Sequence, residues 1–425
     1  MTNIISKRKK ILIACQGTRG DVQPNLAIAE GLRKAGYEPF FAVSNVYKNW
    51  IENAGFECRK LGTDTQKWMA ENSQKTSSSI FSTLLNINYL VKEVFRGQFH
   101  DLLEASRDAE GILFGVLVHG ACDVAEKLKI PAAGLFIYPV TPTSKFPCPL
   151  VPIETLGPTL NKLSSNLALE TRFLLRNEIT RWRRDILKIA PQPQTWRSFT
   201  IDGKAVQNIY GFSQHLISKP SDWFENDHIT GFWFYESALS AQPEKEAAKK
   251  VEDFIRAGTK PIFIGFGSMT VPKPDEKVSI LKSALRRLGL RAIIAHGWAH
   301  LRLGNEESDQ FLPIGEMPHS WLFDKVKAVV HHGGIGTTAT GLRAGLPSLI
   351  CPLGFDQAFW GYRVAQLGAG PRPAPVKNWS VEGLEASLKD LTQNPHYPVN
   401  AEKIKFSMQQ EDGVGNAVEL IEKIF

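Results

Sequence analysis

Residues 331–338 read HHGGIGTT; they follow the apolar run AVV and lead into TATGLRAG. A glycine-rich turn should therefore feed the N-terminus of a helix. Free backbone N–H groups and the positive end of the helix dipole meet at such a point, which suits a phosphate or diphosphate. Gly334 and Gly336 let the backbone come close to a ligand. Thr337 and Thr338 can cap the helix and donate hydroxyl hydrogen bonds, and His332 can add a donor or a positive charge. Further on, FDQ at 355–357 follows a second apolar run, SLICP, at another helix start. Asp356 and Gln357 offer acceptors and donors to vicinal hydroxyls, the groups that a sugar presents. Taken singly, each of these residues is as much at home in a capped helix or a packed turn. Taken together on one crevice, a phosphate site beside a diol site points to a nucleotide-linked sugar as ligand.

A third cluster, GTRGDVQP at 17–24, closes the first apolar run of the chain. Asp21 stands where a helix should begin, just before Pro24. It can act as an N-cap, or it can accept a proton, with the helix terminus holding it ionised. Moving a sugar from a diphosphate to a hydroxyl needs such a proton acceptor, stabilisation of the leaving diphosphate, and alignment of the two substrates. His119, in GVLVHGACD after another apolar run, is a second residue that could face the same cleft, as a relay. His331 and His332 are adjacent and point apart, and nothing else has the spacing of a metal site, so a metal-independent reaction without a cofactor is expected.

These clusters need elements to hold them. KKILIACQG, a helical pattern from Pro24 and EPFFAVS form one β-α-β start; KPIFIGFGS, DEKVSILKSALRRLG and RAIIAHG form another. Strands without polar alternation, separated by helices, predict an α/β protein with two doubly wound parallel sheets. The expected organisation is an acceptor-binding domain over 1–235, a polar linker at 236–250, a nucleotide-sugar domain over 251–400, and a C-terminal helix over 401–425 packing back on the first domain. Residues 68–97 and 139–196 break the alternation with apolar, proline-studded stretches such as IFSTLLNINYLVKEVF and FPCPLVP. In a doubly wound domain such insertions line the ligand crevice.

The bulk numbers are compatible with this. The 425 residues carry a net charge of +7, spread along the chain apart from SKRKK near the start, which argues against a nucleic-acid partner and leaves weak peripheral contact with an anionic membrane open. The five scattered cysteines, without a C-x-x-C pair, fit free thiols in a reducing, cytoplasmic setting. The first ten residues lack the apolar core of a secretion signal, and no apolar run reaches the length of a membrane span.

Residues 331–370 closely resemble the donor-binding signature of family 1 glycosyltransferases, especially the branch of sterol and glycopeptide-antibiotic enzymes. IGFGSM at 264–269, PHSWLF at 318–323, GLRAGLP at 341–347 and GTRGDVQP at 17–24 belong to the same pattern. The match covers residues 1–60 and nearly all of 261–370; the middle third matches loosely. The resemblance implies the GT-B fold, two Rossmann-like domains facing across a cleft, and inverting transfer of a hexose, glucose above all, from UDP-sugar as co-substrate. It places His332, Gly334, Gly336, Thr337 and Thr338 on the diphosphate, together with Ser268. It places Asp356 and Gln357 on the sugar, and Trp298 and Met317 beside the uridine. Many relatives carry a histidine base where this chain, like the sterol branch, has Asp21. An apolar acceptor is expected from the insertions: a sterol, terpenoid, polyketide or hydroxylated lipid. A nucleotide-sugar epimerase or hydrolase, and a catalytically silent nucleotide-sugar-binding protein, are the alternatives.

Overall fold

The computed structural model describes residues 8–62, 97–169, 176–191, 199–267, 269, 271–296 and 308–425. In chain order the first strands are β1 Lys10–Ala14, β2 Glu38–Val43, β3 Cys58–Lys60, β4 Gly111–Phe114, β5 Ala132–Phe136, β6 Thr200–Ile201, β7 Lys204–Ala205, β8 Gln207–Tyr210 and β9 Asp227–Ile229. All but the small antiparallel pair β6-β7 join one parallel sheet in the order β3-β2-β1-β4-β5-β8-β9. A second parallel sheet contains β10 Ile262–Gly265, β11 Ala292–Ala295, β12 Phe311–Ile314, β13 Val329–His331 and β14 Ser348–Ile350, in the order β12-β11-β10-β13-β14.

The central strands are apolar on both faces because helices cover both, and β1, β4 and β10 are wholly buried apart from the first residue of β1. In each sheet the order reverses at one place, between β1 and β4 and between β10 and β13. Crevices open at the carboxyl ends of strands at such reversals. The first turn of the helix after β1 carries Asp21, and the loop after β13 carries His332.

The first helix spans Arg19–Lys34 and so begins before Pro24. Pro24 lies one turn past the helix start and, lacking an N–H, gives up the bond to the Gly20 carbonyl. The helix starts at a capping box: the Thr18 hydroxyl accepts from the Gly20 N–H at 3.2 Å, and Asp21 Oδ2 accepts from the Thr18 N–H at 2.7 Å. Asp21 is therefore the third residue of the helix rather than its N-cap.

The segment 236–250 is largely helical. Its polar run from Lys245 opens the helix Lys245–Arg256, whose Val251 and Phe254 pack under β10 and β12. The polar residues are the solvent face of an amphipathic helix. The last helix, Gly413–Ile424, lies against Arg19–Lys34, and Ile421 shares a core with β1 and β2. Close approach depends on Gly31, where a Cβ would stand 2.8 Å from Val414 and Val418.

Part of the 139–196 insertion is tied down by a buried ion cluster. Arg183 meets Asp123 Oδ1 and Glu126 Oε1, each at 2.6 Å, and donates to the Ala190 carbonyl. The two sheets are joined by an aromatic seam, with Phe146 5.3 Å from Phe359 and Phe212 6.0 Å from Trp360 between ring centroids. Beside it, Glu154 holds Arg372 at 2.5 Å.

Candidate active site

The helix Ile335–Arg343 starts at the carboxyl end of β13, with Gly334 as its extended N-cap. The first intrahelical bond runs from the Thr338 N–H to the Gly334 carbonyl, at 3.0 Å. The N–H groups of Ile335, Gly336 and Thr337 precede it and point out of the helix end. Gly336 is exposed, and a Cβ added there would meet nothing within 4 Å, so the helix mouth is uncrowded at this residue. Thr338 departs from the reading of the sequence. It is fully buried, and its hydroxyl donates to the same Gly334 carbonyl at 3.0 Å. Both its donors are spent inside the helix, leaving the hydroxyl of Thr337, which is part-exposed, at the helix mouth.

His332 is wedged between two glycine backbones. A Cβ at Gly334 would come within 2.5 Å of its Nε2, and one at Gly267 within 3.2 Å of its Cε1. Gly333, at φ +97, makes the tight turn beneath it. His332 Nδ1 is buried with no hydrogen-bond partner, and burial lowers the imidazole pKa to about 4. His319 is likewise pushed down to about 4, chiefly by burial and secondarily by the charge of Arg19. His331, whose Nδ1 accepts from the Gly333 N–H, is pushed well below its ordinary value by burial. In each of the three imidazoles burial favours the neutral form. Burial thus favours the hydrogen-bonding over the charged form of His332, whereas a diphosphate beside it would favour the charged one.

Asp356 caps the helix Gln357–Gln366 at the carboxyl side of β14 and accepts from Trp360 Nε1 at 2.7 Å. The preceding Phe355 sits at φ +53 with half its ring exposed. A left-handed aromatic residue is strained, and such strain collects at ligand sites. Gln357 is less free than its composition suggested: its Oε1 accepts from the N–H groups of Leu353 and Gly354 at 2.7 and 3.1 Å. Its amide N–H₂ is what remains for a ligand.

On the other wall, Asp21 lines a small cleft with Cys15, Gln16, Asn25, Gly115, Val116, Leu135, Phe136 and Ile137. Both capping bonds land on Oδ2, at 2.7 and 3.1 Å from the backbone and hydroxyl of Thr18. Burial raises the Asp21 pKa, and the Thr18 hydrogen bonds offset this only in part. Desolvation thus outweighs the helix terminus, and Asp21 is a stronger base than an N-terminal carboxylate should be. Asp356 is raised to about 6, first by burial and then, against the Trp360 bond, by the charge of Asp21. The two carboxylates, one from each domain, are thus near enough for the charge of Asp21 to bear on Asp356.

Tyr138, just past β5, was not singled out from the sequence, yet it feels both carboxylates, and burial raises its hydroxyl pKa well above the usual value. A lone Tyr after an apolar run carries no local signal of that position. His119 is buried at the start of the helix Ala121–Leu128, and the residues that its loop contributes to the Asp21 cleft are Gly115 and Val116. Met317 lies past β12, part-buried against the Phe263 and Phe323 cluster. Ser268 and Trp298 lie outside the described residues, as do 68–96 and part of 139–196.

The Glycosyltransferase family 28 N-terminal domain matches residues 11–147, and the Erythromycin biosynthesis protein CIII-like C-terminal domain matches 307–421. Two sterol 3-beta-glucosyltransferases of Arabidopsis thaliana are 35% and 32% identical to this chain, over 96% and 97% of it and 64% and 67% of their own lengths. A sterol 3-beta-glucosyltransferase of Pichia angusta is 30% identical over 95% of the chain and 33% of its own length. The chain thus spans about two thirds of the plant relatives and a third of the fungal one. Among solved structures, the glycotransferase of kitacinnamycin superposes with a TM-score of 0.72 at 15% identity, covering 98% of this chain and 99% of its own. The spinosyn rhamnosyltransferase complexed with thymidine diphosphate reaches 0.66 at 15% identity, covering 97% and 100%. Across the fold, the paired switch-point loops and these similarities, the chain belongs to the GT-B glycosyltransferases, in the family of the sterol 3-beta-glucosyltransferases.

Proposed function

We propose that this chain moves glucose from UDP-glucose to the hydroxyl of a sterol or a similar apolar alcohol, with inversion at the anomeric carbon. The observations that carry this reading are a desolvated carboxylate, Asp21, at the switch point of one sheet, a helix N-terminus at the switch point of the other, and a second carboxylate, Asp356, on which the charge of Asp21 bears. The acceptor oxygen attacks the anomeric carbon while Asp21 takes its proton, and the bond to the diphosphate breaks on the opposite face. The N–H groups of Ile335, Gly336 and Thr337, the Thr337 hydroxyl and the Nδ1–H tautomer of His332 hold the departing charge. Asp356 and the Gln357 amide orient the sugar hydroxyls. These groups do the work without a metal. Val116, Leu135, Phe136 and Ile137 beside Asp21 support an apolar acceptor. The five free cysteines support a reducing compartment such as the cytoplasm. No helix among the described residues is long and apolar enough to cross a membrane.

The test is incubation with UDP-glucose or TDP-glucose and a panel of sterols, other lipophilic alcohols, free sugars and nucleosides. A new sterol β-glucoside and an equivalent amount of UDP are expected. UDP with free glucose means a hydrolase, an isomerised donor means an epimerase, and binding alone means a silent protein. A preference for polar acceptors over every apolar alcohol would remove the sterol reading and keep the donor reading.

A further inference from the structure

The Asp21 cleft holds two buried polar groups that the fold leaves unmatched. Gln16 and Asn25 line it together with Asp21, and each is only 3% exposed. Gln16 Nε2 and Asn25 Oδ1 have no hydrogen-bond partner. Buried amide atoms are ordinarily satisfied, so a donor and an acceptor left over beside one cleft call for a ligand.

Carbonyl groups fix which way each amide points, because a carbonyl can only accept. Asn25 Nδ2 donates to the Asp21 carbonyl at 2.8 Å, so Oδ1 is the atom left over. Gln98, which is fully buried, donates through Nε2 to the Leu117 carbonyl at 2.9 Å and to Gln16 Oε1. Reversing Gln98 would set oxygen against oxygen, and reversing Gln16 would set nitrogen against nitrogen. Gln16 is thereby held with Nε2 as its free end. The leftover donor and acceptor do not bond each other. Both capping bonds of Asp21 land on Oδ2, which leaves Oδ1 outside the capping box. The side chains of Val116, Leu135, Phe136 and Ile137 complete the lining and offer no competing partner. The space suits one oxygen-sized group, not a ring.

A hydroxyl meets these demands, with lone pairs for Gln16 Nε2 and one hydrogen for an acceptor. Resting on the transfer reaction above, we propose that Gln16 and Asn25 form the seat of the attacking hydroxyl. The acceptor oxygen accepts from Gln16 Nε2 and turns its hydrogen to Asp21 Oδ1. The Gln16 bond occupies one lone pair and leaves another for the anomeric carbon. As the new C–O bond forms and the bond to the diphosphate breaks, the hydroxyl proton passes to Asp21 Oδ1. Asn25 Oδ1 then accepts from that new O–H. Gln16 acts when the acceptor binds, and Asn25 acts once the proton has moved.

The experiment is steady-state kinetics with UDP-glucose and two probes, cholesterol and thiocholesterol, on the wild-type chain, Gln16→Leu, Gln16→Glu and Asn25→Leu. UDP binding to each is measured by calorimetry. Gln16→Leu should lower kcat/KM for cholesterol about ten- to hundredfold, the effect of losing one hydrogen bond in a buried site, chiefly through the acceptor KM. For thiocholesterol, as acceptor or as inhibitor, the loss should stay within about threefold, because sulfur accepts weakly. Gln16→Glu keeps an oxygen for Gln98 and removes the donor, so it should lower the preference for alcohol over thiol as Gln16→Leu does. Asn25→Leu should lower kcat, with the acceptor KM near that of wild type. UDP affinity should hold in all three. Equal losses for alcohol and thiol in both Gln16 variants overturn the assignment, as does an unchanged cholesterol kcat/KM. A parallel fall in UDP affinity marks a structural role and overturns it too. A wild-type chain that glucosylates no apolar alcohol refutes the acceptor reading itself, and this proposal with it.

Discussion

Asp21 closes the capping box and, in the proposed reaction, takes the acceptor proton; one substitution can separate the two. Asparagine keeps an oxygen for the Thr18 bonds and so preserves the capping box, but it cannot take a proton. Asp21→Asn should lower turnover about 10²–10⁴-fold, the usual cost of losing a general base, with UDP affinity nearly unchanged. Parallel loss of binding and turnover would show the carboxylate to be structural. Asp356 makes a second prediction through pH. Its pKa in the folded protein, about 6, lies above the ordinary 3.8 because burial and the charge of Asp21 oppose ionisation. Between those values the folded state binds more protons than the unfolded one, so the contribution of Asp356 to stability falls as pH rises through that window. Asp356→Asn, which retains an acceptor for Trp360, should raise Tm at pH 8, with the gain disappearing toward pH 4. Transfer should show an acid limb near pH 6 in the wild-type chain, where Asp356 gains its proton. A Tm gain independent of pH would mean that its carboxylate is not strained.

At the scale of the element, the turn after β13 works because glycine lets a helix end and an imidazole share one space. Gly334→Ala places a methyl group 2.5 Å from His332 Nε2, so the ring must move. His332→Ala should cost about 10²–10³-fold in turnover, as expected for a donor to developing charge. Gly334→Ala should cost most of the same, and the double variant should be little worse than His332→Ala alone, because both losses run through one ring. Additive losses would mean that Gly334 acts through the backbone. Much of this element was legible in the sequence: the glycine turn and the helix start are consequences of local backbone geometry. The fate of the Thr338 hydroxyl was not, because helical phase at a cap depends on which residue becomes the N-cap. The same holds for Asp21, where Thr18 took the cap and the helix ran through Pro24.

The whole molecule is closed by its last helix. Val414 and Val418 sit on Gly31, and Ile421 lies in the core of the first sheet, so the chain ends in the domain where it began. Gly31→Val should overpack this contact and destabilise by about 1–3 kcal/mol, read as a fall in Tm or in denaturation midpoint. Adding Val414→Ala and Val418→Ala should recover part of it. No recovery would place the strain within the first helix.

Read by itself, the order of residues was enough for two doubly wound sheets, for the glycine turn and helix start after β13 and for the family resemblance. Those rest on hydrophobic period, turn chemistry and short motifs, which act over a few residues. Tertiary structure alone decided that burial lowers the His332 pKa, that burial raises that of Asp21 against its capping bonds, and that Asp21, Asp356 and Tyr138 lie within reach of one another's charge. Desolvation and Coulomb fields sum over everything packed nearby, and here the nearby groups come from β1, β5 and β14, far apart in sequence and brought together only when the two domains face each other.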